Sequence, residues 1–135
     1  MKTIDCLGRD GVTRTFIYSV TKASLSEEWC YRVRSDPPPM SNEAFELTVS
    51  EISDAEVRVT AMFNYGESAY VAKGIPDALL PAIHEELGKI VSSSPTKGIG
   101  NVYRTSDAGK VWERLRASGI ASYNESEDVY RIGDR

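Results

Sequence analysis

The sequence has little histidine or cysteine and no long apolar run. It contains one histidine, His84, and two cysteines without C-x-x-C spacing, so no grouping typical of a metal site is present. No apolar stretch approaches the length of a membrane-spanning helix, and the start, MKTIDCLGRDG, lacks the apolar segment of a secretory signal. We therefore expect a soluble cytoplasmic protein without a metal ion or a membrane partner.

An excess of positive charge is also missing. The chain has 16 basic and 20 acidic residues and a net charge of −4, which disfavours nonspecific nucleic-acid binding as its main role. Basic residues nevertheless outnumber acidic ones between positions 97 and 116. The simplest interpretation of that segment is the solvated face of a helix.

The two cysteines, Cys6 and Cys30, both fall in predicted strands. In a reducing compartment such cysteines are usually free and buried, and we expect that state here. A disulfide is the alternative if the two strands are neighbours.

The chain of 135 residues predicts a single domain, residues 1–135, whose first half consists of strands. Two runs, Ile4–Leu7 and Val12–Val20, flank the turn residues Gly8 to Gly11. A third run alternates around Trp29, Tyr31 and Val33, and the prolines after Asp36 end it.

The surest strands form a hairpin around Ser53 to Glu56. Phe45, Leu47 and Val49 alternate with polar residues before that turn. After the turn, alternation predicts that one face carries Val57, Val59, Ala61, Phe63 and Tyr65. The other face then carries Arg58, Thr60, Met62 and Asn64. Ala69–Ala72 is a shorter strand candidate.

The second half changes to a helical period. An apolar stripe consists of Leu79 or Leu80, Ile83, Leu87 and Ile90. We expect Asp77 to cap this helix, so that Pro81 stays in the first turn, and Gly88 to weaken the last turn. Ile90 to Ser93 predicts a short central strand.

A second helix follows a loop rich in serine, proline and glycine. Thr105 or Ser106 is expected to cap it, and Gly119 to end it in a left-handed conformation. Its apolar stripe consists of Ala108, Val111, Trp112 and Leu115. The segments Ile120–Tyr123 and Val129–Ile132 then pair as a hairpin. The predicted fold is α+β, a mixed but largely antiparallel sheet with two helices in the C-terminal half.

The segment before the first helix, Lys73 to Ala78, is a candidate anion site. A helix N-terminus presents unbonded backbone N–H groups and the positive end of the helix dipole. An ordinary turn between strand and helix is the alternative interpretation.

The element order from Tyr70 to the C-terminus resembles the acyl-CoA-binding half of the GNAT superfamily of N-acyltransferases. In that family a strand leads into a loop of pattern Q/R-x-x-G-x-G/A that binds the coenzyme A pyrophosphate. A helix, a strand that splays from its neighbour, a second helix and terminal strands follow. The segment KGIPDALL at 73–80 is similar to the family's R-G-x-G-x-x-L-L.

This resemblance implies a GNAT-like topology, acetyl-CoA as cofactor and N-acyltransferase activity. The cofactor-binding residues that it implies are Lys73, Gly74, Ile75, Asp77, Ala78 and Lys110. Pro76 stands at the place of the family's second glycine, where it removes one amide. We therefore expect weak binding of acetyl-CoA.

The second helix is similar to the family's A-x-x-x-Y-E-x-x-G-F segment, with Trp112 at the place of the tyrosine that protonates the thiolate. An indole N–H is too weak an acid for that role, so we expect Trp112 to be a core residue. Tyr103, Tyr123 and Tyr130 are the nearest substitutes. Glu51, Glu56 and His84 are candidate bases, for which surface positions are the simpler interpretation. Catalytic residues stay unassigned, and whether the chain is an enzyme stays open.

Two other classes of function remain. The first is a non-catalytic protein-interaction module of α+β fold, which Pro76 and Trp112 favour. The second is a winged-helix nucleic-acid binder, because 106–132 is a helix followed by a hairpin, with Lys110, Arg114 and Arg116 available for phosphates. The acidic tip of that hairpin opposes DNA, so nucleic acid is an improbable partner.

Overall fold

The structure is a computed structural model that describes residues 2–23, 27–38, 43–65, 70, 72–97 and 104–133. Within them the chain forms eight strands and two helices. In chain order these are β1 (Lys2–Leu7), β2 (Thr13–Lys22), β3 (Glu28–Ser35), β4 (Ala44–Ser53), β5 (Glu56–Tyr65), α1 (Ile75–Leu87), β6 (Ile90–Ser92), α2 (Ser106–Ala117), β7 (Ala121–Asn124) and β8 (Val129–Ile132). The sheet order is β1-β2-β3-β4-β5-β6-β8-β7. The prediction of an α+β fold with a mainly antiparallel sheet and two late helices is confirmed.

The first five strands form an antiparallel meander in which each strand pairs with its sequence neighbour. Alternation places every second side chain on the same face, and Tyr31, Val33, Leu47 and Val49 are all fully buried. The predicted turn between β1 and β2 is present, with Gly11 in the left-handed region at φ 79°. As predicted, β3 ends at Ser35, just before the prolines.

A β-bulge in β5 changes the predicted pattern of that strand. Val49 pairs with Val59, whereas the preceding Thr48 pairs with Ala61, so Thr60 is the extra residue. The bulge shifts every later side chain to the opposite face. Met62 therefore packs against the core, whereas Phe63 is 55% exposed, and the face predicted from simple alternation was wrong beyond Val59.

The strand predicted at Ala69–Ala72 is not formed at its described positions. Tyr70 and Ala72 both lie in turns, and Ala69 and Val71 fall outside the described residues. The buried Tyr70 side chain makes a long-range contact instead. Its hydroxyl accepts a hydrogen bond from the Ser35 amide at 3.1 Å and donates to the Glu43 carbonyl at 3.3 Å.

Helix α1 begins earlier than predicted. Its N-cap is Gly74, in the left-handed region at φ 79°, and Asp77 lies in the first turn. The predicted cap at Asp77 was therefore wrong, and Pro81 lies inside the helix rather than in its first turn. Gly88 ends the helix as a left-handed cap at φ 65°, with its amide donating to the His84 carbonyl at 2.9 Å.

Helix α2 follows its prediction closely. The Thr105 hydroxyl accepts a hydrogen bond from the Ala108 amide at 3.2 Å, which is the expected N-cap contact. The stripe of Val111, Trp112 and Leu115 is buried. Gly119 has φ 83°, and the following amide donates back to the Leu115 carbonyl at 2.9 Å, which completes a Schellman-type end.

The strands β7 and β8 pair as the predicted hairpin, but β8 also pairs with β6. The hairpin is therefore part of the main sheet rather than a separate wing beside α2. The segment predicted as a short central strand is β6, which pairs in parallel with β5.

The sheet curves around α1. This helix contacts β1 at one side of the sheet and β6 and β8 at the other. In a flat sheet β1 and β6 would lie roughly 24 Å apart, too far for one helix to contact both. The side chains of both helices join one buried cluster with the inner face of the sheet. The opposite face carries no helix within the described part of the chain.

Both cysteines are free, and both lie in strands, as predicted. Cys6 is fully buried beneath α1, whereas Cys30 is half-buried. Burial raises the pKa of the Cys6 thiol to about 12. Because the thiolate is the reactive form, burial lowers the reactivity of Cys6 in the folded protein.

Candidate functional site: the cleft between β5 and β6

The candidate site lies where the parallel strands β5 and β6 part. They pair over only three residues, from Glu56 with Ile90 to Arg58 with Ser92. β5 then continues to Tyr65, whereas β6 ends. Within the described sheet this is the one parallel pair, and ligands of α/β sheets commonly bind beyond the carboxyl ends of parallel strands.

The β-bulge explains why the strands part at this point. Thr60 is the extra residue of the bulge and lies two positions beyond the last β5–β6 pair at Arg58. A bulge bends its strand and increases the local twist. The bend therefore turns the second half of β5 away from the path that β6 would follow.

The space between the strands is narrow. It has a volume of about 50 Å³, enough for a few water molecules. Its lining comprises Val59, Thr60, Ala61, Met62, Ser94, Arg104, Thr105, Ala108 and Trp112. The cleft thus lies between the bent part of β5 and the first turns of α2.

Buried serines close the inner end of the cleft. The Ser92 hydroxyl donates to the Val57 carbonyl at 3.3 Å, and the Ser94 hydroxyl donates to the Val59 carbonyl at 2.6 Å. The second bond lies one residue beyond the last backbone pair at Arg58, so a side chain links the two segments where the strands diverge. Both bonds give a β5 carbonyl a side-chain donor.

Arg104 fills much of the remaining space. Its side chain is only 7% exposed, and its guanidinium donates to the Ser93 hydroxyl, the Ser94 carbonyl and the carbonyl and carboxylate of Asp128, at 2.7 to 3.3 Å. The same group lies 4.9 Å from the centre of the Tyr130 ring. Asp128 balances its charge, and both terminal nitrogens of the guanidinium donate within the protein.

Asp128 is held by several donors at once. Its carboxylate accepts from both the amide and the hydroxyl of Thr96, from Arg104 and from the Tyr123 hydroxyl at 2.7 Å. Hydrogen bonds from Thr96 and then Arg104 hold the pKa of Asp128 well below its usual range. The residue has φ 56°, a left-handed conformation that aspartate adopts more readily than most residues.

Trp112 is a core residue, as predicted. It is 1% exposed, and its ring stacks on Tyr130 with centroids 6.0 Å apart. The Tyr130 hydroxyl donates to Glu113 at 2.8 Å, and burial is the main cause that raises the pKa of Tyr130. Arg116 and Tyr130 together lower the pKa of Glu113 to about 2.

Two of the three tyrosines considered as a catalytic acid lie among the described residues, and the hydroxyl of each already donates a hydrogen bond to a carboxylate. Tyr130 donates to Glu113 and Tyr123 donates to Asp128. Tyr103 falls outside the described residues.

The predicted phosphate loop lies at the N-terminus of α1, close to the end of β1. A Cβ atom built on Gly74 would lie 2.1 Å from the Leu7 carbonyl oxygen, so the two backbones are in close contact. The Ala78 amide already donates to the Gly74 carbonyl at 3.1 Å, and the Ile75 side chain is fully buried. Within this turn Pro76 has no N–H, so few amides remain for a ligand.

The basic contact of this loop comes from Arg114 rather than from Lys110. Arg114 donates to both carboxylate oxygens of Asp77, at 2.8 and 2.9 Å. Lys110, one helical turn earlier on α2, is largely exposed and lies 4.0 Å from Asp107. The sequence analysis missed Arg114 here, although its spacing of four residues from Lys110 places both on one face of the helix. Lys73 precedes Gly74 and is half-buried.

The candidate bases lie away from the cleft lining described above. The Glu51 carboxylate lies 3.8 Å from the ammonium group of Lys89. The Nδ1 atom of His84 lies 2.7 Å from the carbonyl oxygen of the same lysine. Glu56 pairs with Arg131 at 3.2 Å on the open face of the sheet. All three residues are half-buried. His84 agrees with the simpler interpretation of a partly exposed position, whereas Glu51 and Glu56 are 22% and 13% exposed and ion-paired rather than solvated at the surface.

Other classes of site find no support in the described residues. Among them, no three His, Cys, Asp or Glu side chains come together as a metal site would require. The two helices in that part of the chain, of 13 and 12 residues, are each too short to cross a membrane. No protein-family model and no curated protein matches this sequence.

Proposed function

We propose that this chain is a GNAT-like domain that binds acetyl-CoA, or a related acyl-CoA, and acts as an N-acyltransferase. The observation that carries the proposal is the divergence of β5 and β6 after three parallel pairs. The resemblance to the GNAT family implies a splayed strand at this place in the element order. Residues 73–78 form the loop that the resemblance implies for phosphate binding, and this loop leads into α1, the helix that connects β5 with β6.

The proposal assigns different parts of the ligand to different groups. The phosphates lie at the N-terminus of α1, where the helix dipole is favourable, with Lys73 as the cation of the loop itself. Arg114, which binds Asp77, is the cation that α2 places at this loop, and the exposed Lys110 lies one helical turn before it. The acyl-bearing arm lies along the side of β5 where, among the described residues, no strand pairs beyond Arg58. Because the cleft holds only a few water molecules, the Arg104 side chain must move to admit this arm. We therefore expect a dissociation constant on the order of 0.1–1 mM.

An amide chemical-shift titration with acetyl-CoA tests this proposal. Shifts are expected at residues 58–62, 72–80 and 104–112. Ala108→Leu, which narrows the cleft, should weaken them, whereas Ala117→Leu, at an exposed site on the same helix, should not. Acetyl transfer to a polyamine or a peptide amine tests the catalytic part. The absence of shifts at millimolar acetyl-CoA would remove the proposal.

A non-catalytic interaction module is the second candidate. It is favoured by Trp112, which is buried where the family has a tyrosine, and by Tyr123 and Tyr130, whose hydroxyls are already bonded to carboxylates. The same titration separates the two candidates. Binding together with acetyl transfer supports the enzyme, and neither binding nor transfer supports the interaction module.

A further inference from the structure

The lining of the cleft between β5 and β6 combines two kinds of side chain. Its polar part is supplied by Thr60, Ser94, Arg104 and Thr105. Its apolar part is supplied by Val59, Ala61, Met62, Ala108 and Trp112. Because burial of hydrocarbon is favourable, the alkyl end of an acyl group in this cleft must lie against the apolar part.

The β-bulge brings Met62 into this lining. Thr60 is the extra residue of the bulge, so the side chains that follow it change face. With regular alternation Met62 would share the face of Arg58. It instead lines the cleft and packs against the core cluster, whereas the neighbouring Phe63 is 55% exposed and lies outside the lining. The position of Met62 therefore depends on the same bulge that parts β5 from β6.

The other large apolar side chains of the lining are fixed by the core. Val59 and Trp112 both belong to the core cluster and are 7% and 1% exposed. Trp112 also stacks on Tyr130. Met62 is half-buried and packs against the cluster from outside it. A substitution of Met62 therefore changes the size of the cleft at a smaller cost to the core than a substitution of Val59 or Trp112.

The space beside these apolar side chains is small. The whole cleft has a volume of about 50 Å³, enough for a few water molecules and comparable with an acetyl group. Movement of Arg104 opens the polar part of the lining to the arm that carries the acyl group. It does not enlarge the apolar part, because Val59 and Trp112 stay packed in the core. The apolar part therefore limits the length of the acyl group.

On the basis of the proposed function, we propose that Met62 determines which acyl groups the cleft accepts. The short side chains of Ala61 and Ala108 leave room for the acyl group, and the Met62 side chain closes that room at the alkyl end. The substrates are then short-chain acyl-CoA thioesters, with acetyl or propionyl groups, and longer acyl chains are excluded. Met62 is a specificity-determining residue in this assignment, because it contacts the acyl group and transfers no proton.

Titrations with coenzyme A and with acetyl-, propionyl-, butyryl- and hexanoyl-CoA test the assignment. Affinity should rise above that of coenzyme A by about two- to fourfold for each carbon that fits, and should return to that of coenzyme A for hexanoyl-CoA. The chain has three methionines, and the methyl signal of Met62 is the one that Met62→Leu removes. This signal should shift further with acetyl-CoA than with coenzyme A.

Four variants sharpen the test. Met62→Ala should raise the affinity for hexanoyl-CoA at least about tenfold, since the longer cleft takes in further methylenes. This gain of binding cannot come from a damaged fold. Met62→Leu conserves the volume and should keep the preference of the wild type. Met62→Phe should weaken propionyl-CoA relative to acetyl-CoA. Ile52→Ala, at a 49% exposed position of β4 outside the lining, should leave the preference unchanged.

The outcomes separate this assignment from the proposed function. Binding of acetyl-CoA with the same chain-length preference in the wild type and in both Met62→Ala and Met62→Phe would overturn the role of Met62 and leave the proposed function in place. Hexanoyl-CoA that binds the wild type as tightly as acetyl-CoA would do the same. The absence of shifts with every one of these thioesters would instead remove the proposed function, and the role of Met62 with it.

Discussion

The two halves of the sheet are held together in different ways. In the meander β1–β5, each strand pairs with its sequence neighbour over six to nine residues. In the second half, β6 has three pairs with β5 and two with β8. The backbone ladder therefore contributes less to the second half, and side chains must contribute more.

The described contacts show which side chains do so. The Ser93 hydroxyl accepts from the Tyr130 amide at 3.0 Å and from Arg104 at 3.3 Å, at the junction of β6 and β8. Trp112 packs over the same junction through Tyr130. We therefore expect substitutions of single side chains to destabilise the second half more than the meander.

The largest effect is expected from Trp112→Ala. Removing this buried ring should lower the free energy of unfolding by about 3–5 kcal/mol, measured by urea denaturation. Trp29→Ala, at a half-buried position of β3, is the matched change in the meander and should cost about 1–2 kcal/mol. A loss below about 1 kcal/mol for Trp112→Ala would contradict its role as a core anchor.

The contact between α1 and β1 is tested by Gly74→Ala. The new Cβ would lie 2.1 Å from the Leu7 carbonyl oxygen, at a residue with φ 79°. Backbone strain and overpacking together should cost about 2–4 kcal/mol. At Gly88, with φ 65° and no neighbouring atom within 4 Å, the same substitution should cost only about 1 kcal/mol. Equal losses at the two glycines would show that the contact with Leu7 is unimportant.

Local patterns sufficed to predict most of the elements. The alternation of apolar and polar residues predicted the strands of the meander. Thr105 and Gly119 predicted the two ends of α2, because helix ends are fixed by hydrogen bonds between residues close in sequence. The bulge at Thr60 was missed because it depends on how β5 pairs with β4. The start of α1 was missed because Gly74 adapts to the distant end of β1.

The contents of the candidate sites were harder to predict. Arg104 and Asp128 are 24 positions apart, and only the folded sheet brings them together in the cleft. Sequence reasoning identified Lys73 to Ala78 through a local motif, and ligand binding there stays a prediction.

The charge on Asp128 is the next test of the second half. Asp128→Asn keeps the shape and tolerates the left-handed backbone, but it leaves the buried Arg104 without its anion. We expect a loss of about 1.5–3 kcal/mol at pH 7. Asp54→Asn, at an exposed turn of the meander, should change the free energy of unfolding by less than about 0.5 kcal/mol.

The free energies of unfolding of the wild type and of Asp128→Asn should depend differently on pH. The pKa of Asp128 is lower in the folded state than the unfolded value of about 3.9. The ionised carboxylate therefore makes its full contribution to the free energy of unfolding at pH values above about 3.9. The contribution is lost as the pH falls through the folded pKa. The stability difference between wild type and Asp128→Asn should therefore shrink below about pH 4. A difference that stays constant from pH 7 to pH 3 would show that the charge is not what stabilises the cleft.

The smallest effect is expected from the ion pair that joins the two helices. Arg114 binds both oxygens of Asp77, but the two side chains are 41% and 29% exposed, so Arg114→Met should cost only about 0.2–1 kcal/mol. Arg116→Met is the matched change, since Arg116 pairs with Glu113 within α2, and a smaller loss than for Arg114→Met is expected. A double-mutant cycle of Arg114→Met with Asp77→Asn separates the pair from the favourable position of Asp77 at the helix N-terminus. The coupling energy should fall between low salt and 1 M salt, where the screening length is only about 3 Å. A coupling above about 2 kcal/mol, or one that resists salt, would mean that this bridge fixes the helices as firmly as the buried contacts do.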